Sequence, residues 1–185
     1  MVTRVVEVSR SPFAIVVPVP IESVLVTAGF WRRWLGETLR SALFHQHRML
    51  EESDRINRFR WVSGRAREPP SHSLAPFDDS DVYKWLEACG YFLARSSDAE
   101  VRGIAESIID EIVSAQEPDG YLFTAHHGQP SKRWRNLTFD HELYCAGHLI
   151  QAAIALRRSI GEDRLFSASL KLADLITRTF GPEGM

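Results

Sequence analysis

The run Asp140–Arg158, DHELYCAGHLIQAAIALRR, constrains this chain more than any other segment. Leu143, Ala146, Leu149, Ile150, Ala152, Ala153, Ile154, Ala155 and Leu156 surround the helical cylinder almost completely. A helix that is apolar all round is buried on more than one side, so this one needs other helices around it. Two segments have the amphipathic pattern to cover it. Residues 99–116 place Val101, Ile104, Ala105, Ile108 and Ile112 on one face, with Glu100, Arg102, Glu106 and Asp110 elsewhere. Residues 162–180 repeat that design with Leu165, Ala168, Leu172, Leu175 and Ile176 against Lys171, Asp174 and Arg178. Buried and half-buried helices therefore alternate in hairpins.

Two more helices precede these. Residues 28–52 show a 3.6-residue pattern from Phe30, Trp31, Trp34, Leu35, Leu39, Ala42, Leu43 and Leu50, with Thr27 as a candidate N-cap. Residues 80–95 start at Asp78, Asp79 and Asp81, acids that suit a helix N-terminus, and carry Val82, Trp85, Leu86, Cys89 and Leu93. Residues 58–77 read as loop because Gly64, Pro69, Pro70 and Pro76 break any helix, and 119–138 reads as a long polar loop. The first 26 residues read as an extended arm with one or two strands. The alternation of Val2, Arg4 and Val6 against Thr3, Val5 and Glu7 is imperfect, and Ser9, Pro18 and Pro20 interrupt it.

A 64-residue shift lays Asp110 on Asp174, Ile112 on Ile176, Pro118 on Pro182 and Gly120 on Gly184. Repeated helix pairs with short connections predict an all-α fold, part of an (α/α)6 barrel or toroid, with inner helices covered by outer ones. A closed ring of six pairs needs about twelve helices, and this chain supplies about five. The expectation is an arm over 1–26 followed by an incomplete barrel domain over 27–185, the N-terminal piece of a longer protein.

Composition narrows the function. With 22 basic and 24 acidic residues and a net charge of −2, there is no basic stripe for duplex nucleic acid. Two cysteines, Cys89 and Cys145, exclude a disulfide framework. The first twenty residues hold no uninterrupted apolar core or small-residue cleavage site, and no run approaches the ~18–20 apolar residues of a membrane span. These readings point to a cytoplasmic protein without a membrane partner, in which the sequon at Asn136 is idle.

The densest chemical constellation is His141-Glu142-x-x-Cys145-x-x-His148. On a continuous helix His141, Cys145 and His148 share one face, as ligands of a small metal-dependent hydrolase would. A core cysteine flanked by hydrogen-bonded histidines is the plainer reading. A third, favoured here, puts His141 at the open end of an inner helix, donating to a bound hydroxyl. His126 and His127 are consecutive and read as solvated loop; His45 and His47 cannot share a helix face. Asp79 and Asp81 could reach a ligand or simply cap their helix, and Glu142 has the same capping alternative. Glu87, mid-helix among apolar residues, needs a partner if buried. Trp134, with Arg133, Arg135 and Asn136, could stack on a sugar and donate to its hydroxyls, or plug the loop onto the core. No Gly-rich phosphate loop and no Gly-x-Ser-x-Gly elbow is present.

The segments FDDSDVYKWLEACGYFL (77–93), IIDEIVSAQEPDGYLFT (108–124) and RWRNLTFDHELYCAGHLIQAAIAL (133–156) resemble the N-terminal part of glycoside hydrolase family 127, the bacterial β-L-arabinofuranosidases. The resemblance runs over about 27–182, with 51–72 departing from it. It implies an (α/α)6 catalytic barrel followed by β-sandwich material that the arm joins, and an L-arabinofuranoside or related oligosaccharide as substrate. It also implies a retaining mechanism with a zinc-bound cysteine nucleophile and a glutamate acid/base, the zinc held by one Glu and three Cys from the second half of the enzyme. No Cys follows Cys145, so nucleophile, acid/base and zinc are expected to lie outside this chain, and no metal is expected within it. The resemblance gives His141 a contact with the sugar; Trp134, Asp81 and Glu142 complete the expected substrate-binding set. The fragment alone is then expected to be inactive and to associate through its exposed barrel flank. The competing reading is a non-catalytic helical-hairpin scaffold or carbohydrate-binding module.

Overall fold

The computed structural model describes residues 3–8, 10–72 and 75–182; Val2, Ser9 and Gly184, which enter the patterns above, lie outside the described residues. Among the described residues there are seven α-helices, three 3-10 turns and no strand. The helices are α1 (Gly29–Glu52), α2 (Arg55–Val62), α3 (Asp79–Leu93), α4 (Ala99–Ser114), α5 (Leu137–Asp140), α6 (Glu142–Ile160) and α7 (Arg164–Phe180).

Local chemistry sets several of these boundaries. Asp98 caps α4 by accepting from the N–H groups of Glu100 (3.1 Å) and Val101 (3.0 Å). Gly161 ends α6 in the left-handed region at φ 74°, donating to Arg157 O. Thr27 does not cap α1, which starts at Gly29 with no side-chain cap bond.

The 64-residue repeat is structural. It carries α3 onto 143–157, within α6, and α4 onto 163–178, all but the first residue of which lies within α7, so α3–α4 and α6–α7 are two copies of one hairpin. The first helices of the two hairpins lie side by side and run the same way. Near their starts the Cys145 thiol reaches Phe77 O (3.4 Å), and near their ends Gly90 meets the backbone of Ala155. A Cβ at Gly90 would sit 3.0 Å from the Ala155 carbonyl carbon, so the absence of a side chain sets how closely these helices approach. α4 and α7 cover them from one side through Val101, Ile108, Ile112, Leu165 and Leu172, all buried.

Helix α1 lies along the other flank of α3 and runs opposite to it: its Leu43 carbonyl accepts from Trp85 Nε1 (2.9 Å), Met49 and Ser53 lie by Asp81, and Leu39 lies by Tyr91. Helix α2 falls where a loop is expected from sequence. The chain reverses at Asp54 (φ 61°) and coils again, because Ile56 and Phe59, one turn apart, are both fully buried. Arg60 and Arg65 then tie the end of α2 to Glu111 of α4. The breakers at Gly64 and beyond end this helix; they do not prevent it.

The arm is extended but forms no ladder among the described residues, since a strand needs a partner to pair with. It is tied to the body near Thr3 and Arg4: the Thr3 hydroxyl donates to Arg158 O (3.3 Å) and Arg158 donates to Arg4 O (2.9 Å). Helix α6 is covered on two sides, by α3 and α7. Its third flank stays open, with Leu143, Tyr144 and Gly147 exposed and Ile150 and Ile154 half-buried.

Candidate active-site wall at the start of helix six

His141 occupies the single-residue break between α5 and α6 and has φ 59°. Its N–H donates to Leu137 O (3.2 Å) and its carbonyl accepts from Cys145 (3.0 Å), so the two helices meet through this one residue. The imidazole is exposed and rests against the edge of Phe77, ring centroids 5.1 Å apart. The break also changes which side chains share its face. His141 meets Tyr144 (6.0 Å between centroids) and Tyr144 meets His148 (4.5 Å), while Cys145 turns inward to Phe77 O. The His141/Cys145/His148 face expected for a small metal-dependent hydrolase is therefore not assembled. Burial pushes the Cys145 thiol well above its usual range, the opposite of what a thiolate ligand needs. Burial lowers the pKa of His148, with Lys84 nearby acting in the same direction.

Glu142 is 2% exposed and its carboxylate is taken up within the chain. Oε1 accepts from the Tyr121 hydroxyl (2.6 Å) and Oε2 from the backbone N–H of Trp134 (2.8 Å). Buried, this side chain does not face the exposed side where His141 stands; it fixes the 119–141 loop to the start of α6. Trp134 is held at φ 64°, a left-handed conformation that costs a non-glycine residue about 1–2 kcal/mol, and the Glu142 bond secures it there. Its half-buried indole packs edge-on to Tyr121 (5.3 Å) and Phe180 (5.5 Å). Arg133 lies over the Tyr121 ring (4.0 Å) and pairs with Glu117 and Asp119.

The two acids at the start of α3 separate. Asp79 is buried and accepts from the Thr124 N–H (2.8 Å) and hydroxyl (2.5 Å), with burial raising its pKa. Asp81 is half-exposed, pairs with Arg55 (3.0 Å), and lines a cleft of about 480 Å³ between α1 and α3 with Gln46, Lys84, Trp85 and Ala88. His141, Trp134 and Glu142 are not among the walls of that cleft. Glu87, half-buried, accepts from the Tyr91 hydroxyl (3.1 Å).

The polar loop hides a buried residue that sequence places in solvent. His126, in the 3-10 turn Thr124–His126, is 9% exposed, with Nε2 lying 3.0 Å from Asp140 Oδ2. Only His127 keeps the more exposed position, 3.9 Å from Glu117. The apolar run Tyr121, Leu122 and Phe123, all buried, is the sequence signal that this loop lines a core.

The zinc cage implied by the resemblance does not fit the residues present. It needs three thiolates, and this chain has two cysteines, both buried. Glu87-Ala88-Cys89 has the Glu-x-Cys spacing, but Cys89 is fully buried in α3 and burial alone drives its thiol well upward.

Residues 23–185 match the family described as β-L-arabinofuranosidase, GH127 catalytic domain. A curated non-reducing end β-L-arabinofuranosidase of Bifidobacterium longum is 30% identical over 183 residues, covering 87% of this chain and 28% of that protein. The crystal structure of a GH127 β-L-arabinofuranosidase from Geobacillus stearothermophilus T6 superimposes with a TM-score of 0.79 at 38% identity, over 86% of this chain and 26% of that one. A second solved GH127 β-arabinofuranosidase gives 0.80 at 29% identity, over 90% and 28%. The chain spans under a third of the length of each. With the matched block extending over both repeated hairpins and the His141 junction between them, this chain belongs to the GH127 β-L-arabinofuranosidase family.

Proposed function

We propose that this chain forms the N-terminal part of a retaining β-L-arabinofuranosidase-like glycoside hydrolase and supplies one wall of its sugar pocket. One observation carries the reading: His141 is exposed at the break between α5 and α6, braced by Phe77 and aimed outside the helical cylinder. An imidazole so held donates to a furanose hydroxyl without reorganising the backbone. Asp81, the second polar group proposed for this wall, lines the cleft between α1 and α3 and is linked to His141 through Lys84 and Tyr144. Trp134 and Glu142 act behind it: the indole packs the loop down, and the Glu142 carboxylate clamps the loop to the helix that carries His141.

Nucleophile, acid/base and zinc cage are assigned to polypeptide outside this chain, whose two thiols are buried and protonated. The chain alone therefore binds weakly and does not hydrolyse. The open flank of α6 supports association with a complementary segment or a second copy. No described helix is long and apolar enough to cross a membrane, and the balanced charge supports the absence of a nucleic-acid partner; we place the protein in the cytoplasm.

The test combines reconstitution with a single substitution. Co-expression with the remainder of a family enzyme is expected to restore hydrolysis of an aryl β-L-arabinofuranoside, and His141→Ala to cut kcat/KM at least tenfold. Hydrolysis by the 185-residue chain alone would refute the assignment of the catalytic groups. A reconstituted enzyme indifferent to His141→Ala would remove this residue from the pocket.

A further inference from the structure

Three potential metal ligands converge just behind His141. Donor atoms of His126, Asp140 and Glu142 all lie within 4.8 Å of one another. Two of the three flank His141 in sequence; the third comes from the 3-10 turn on the far side of the loop. All are largely enclosed, with side chains 11% exposed for His126, 15% for Asp140 and the whole of Glu142 at 2%.

The charge of this cluster is unbalanced. Two carboxylates face one imidazole, so the group is net negative whether or not the ring is protonated. No Lys or Arg of the described residues comes within 4.0 Å of either carboxylate; nearby Arg133 is committed to Glu117 and Asp119. Enclosing uncompensated negative charge is costly unless a cation accompanies it. His126 turns its Nε2 to this cluster, 3.0 Å from Asp140 Oδ2; its Nδ1, on the other edge of the ring, takes no part in the site. Glu142 is already oriented: the Tyr121 hydroxyl and the Trp134 N–H hold its carboxylate as outer hydrogen bonds hold a metal ligand.

We propose that His126, Asp140 and Glu142 bind one divalent first-row cation. One imidazole nitrogen and two carboxylate oxygens are the donor set that Zn²⁺ and Mn²⁺ accept. This site is distinct from a thiolate zinc cage, to which it contributes no atom. A cation there would tie the turn at 124–126 to the end of α5 and the start of α6, and so lock the His141 backbone from both sides. Its role is structural, and it stands whether or not His141 meets a sugar.

The experiment is calorimetric titration of the chelator-treated 185-residue chain with ZnCl₂ and, separately, MnCl₂, paired with thermal unfolding. One equivalent of at least one ion is expected to bind, raising Tm in a manner EDTA reverses. His126→Gln and Asp140→Asn are each expected to weaken binding at least tenfold, and His45→Gln, at an exposed position, to leave it unchanged. Should either variant unfold, the Co²⁺-loaded native chain decides: d–d absorption without a thiolate charge-transfer band supports this ligand set. A thiolate band, no stoichiometric uptake by the native chain, or uptake that survives both substitutions overturns it.

Discussion

Gly120 is required twice over. Its φ of 98° is open to glycine, and a Cβ there would lie 2.7 Å from the Lys171 carbonyl oxygen. Gly120→Ala is expected to destabilise the fold by at least about 2 kcal/mol, combining backbone strain with a clash against α7; a urea midpoint equal to that of the native chain would contradict this. The turn itself is legible as Pro118-Asp119-Gly120; the neighbour that forbids a side chain is not, because Lys171 is far along the chain. The same distance hides the partners of Glu142. His141 is legible as the first exposed residue of an inner helix, yet its companions were not, because spacing rules assume an unbroken helix. The left-handed turn at 141 restarts the helix at Glu142, which brings Tyr144 to the imidazole and sends Cys145 inward. Asp79 also makes a pH prediction. Burial raises its folded pKa, so the native state holds this proton to higher pH than the unfolded chain does, and acidification through that window stabilises the fold. Asp54, held low by hydrogen bonds from His72 and Ser71, acts oppositely: its contribution is present above the ordinary carboxylate range and lost as pH falls. Asp79→Asn is therefore expected to lose stability more steeply than the native chain between pH 7 and 4, measured by urea unfolding; parallel pH curves would refute it.

At the level of elements, the close packing of α3 on α6 depends on Gly90. Replacing it by Leu places a branched side chain where a Cβ alone would already be 3.0 Å from the Ala155 backbone. Backbone cannot step aside as a flexible side chain can, so Gly90→Leu is expected to cost about 3 kcal/mol or more. Gly90→Ala should be far milder, since the ~1 kcal/mol gain in helix propensity offsets the tight contact. Equal unfolding midpoints for the Leu and Ala variants would show that the helices separate freely. Helices α3, α4, α6 and α7 are legible because each carries at least four apolar residues at helical spacing, and because the two hairpins repeat. Helix α2 escapes that reading: its eight residues include four Arg/Asn positions, and its burial rests on Ile56 and Phe59 alone. The arm misleads in the other direction. Its Val and Ile residues have strand propensity, but propensity cannot supply the second strand that a ladder needs.

For the whole molecule, the repeat says what the open flank of α6 is for. The 64-residue shift maps the α3 residues Asp79, Tyr83, Leu86 and Gly90, all buried, onto Leu143, Gly147, Ile150 and Ile154. The first set is enclosed, Asp79 by Thr124, Tyr83 by Phe59 and Gly90 by Ala155 of α6; the second is the corresponding face one hairpin later, and nothing among the described residues covers it. Its apolar character explains why the sequence of this helix reads as apolar all round although, among the described residues, helices cover it on two sides, α3 and α7. An apolar seam of this kind left in water drives association. Sedimentation across a concentration series is expected to show reversible self-association of the native chain, and Leu143→Lys with Ile154→Lys to abolish it while leaving the helical circular dichroism intact, because both positions lie on the open side. The Lys variants also separate this seam from the exposed arm, whose Phe13, Ile15 and Val16 are untouched by them. Association that persists unchanged in the double variant would assign the contact to the arm, and a strictly monomeric native chain would mean that the α6 flank tolerates water after all.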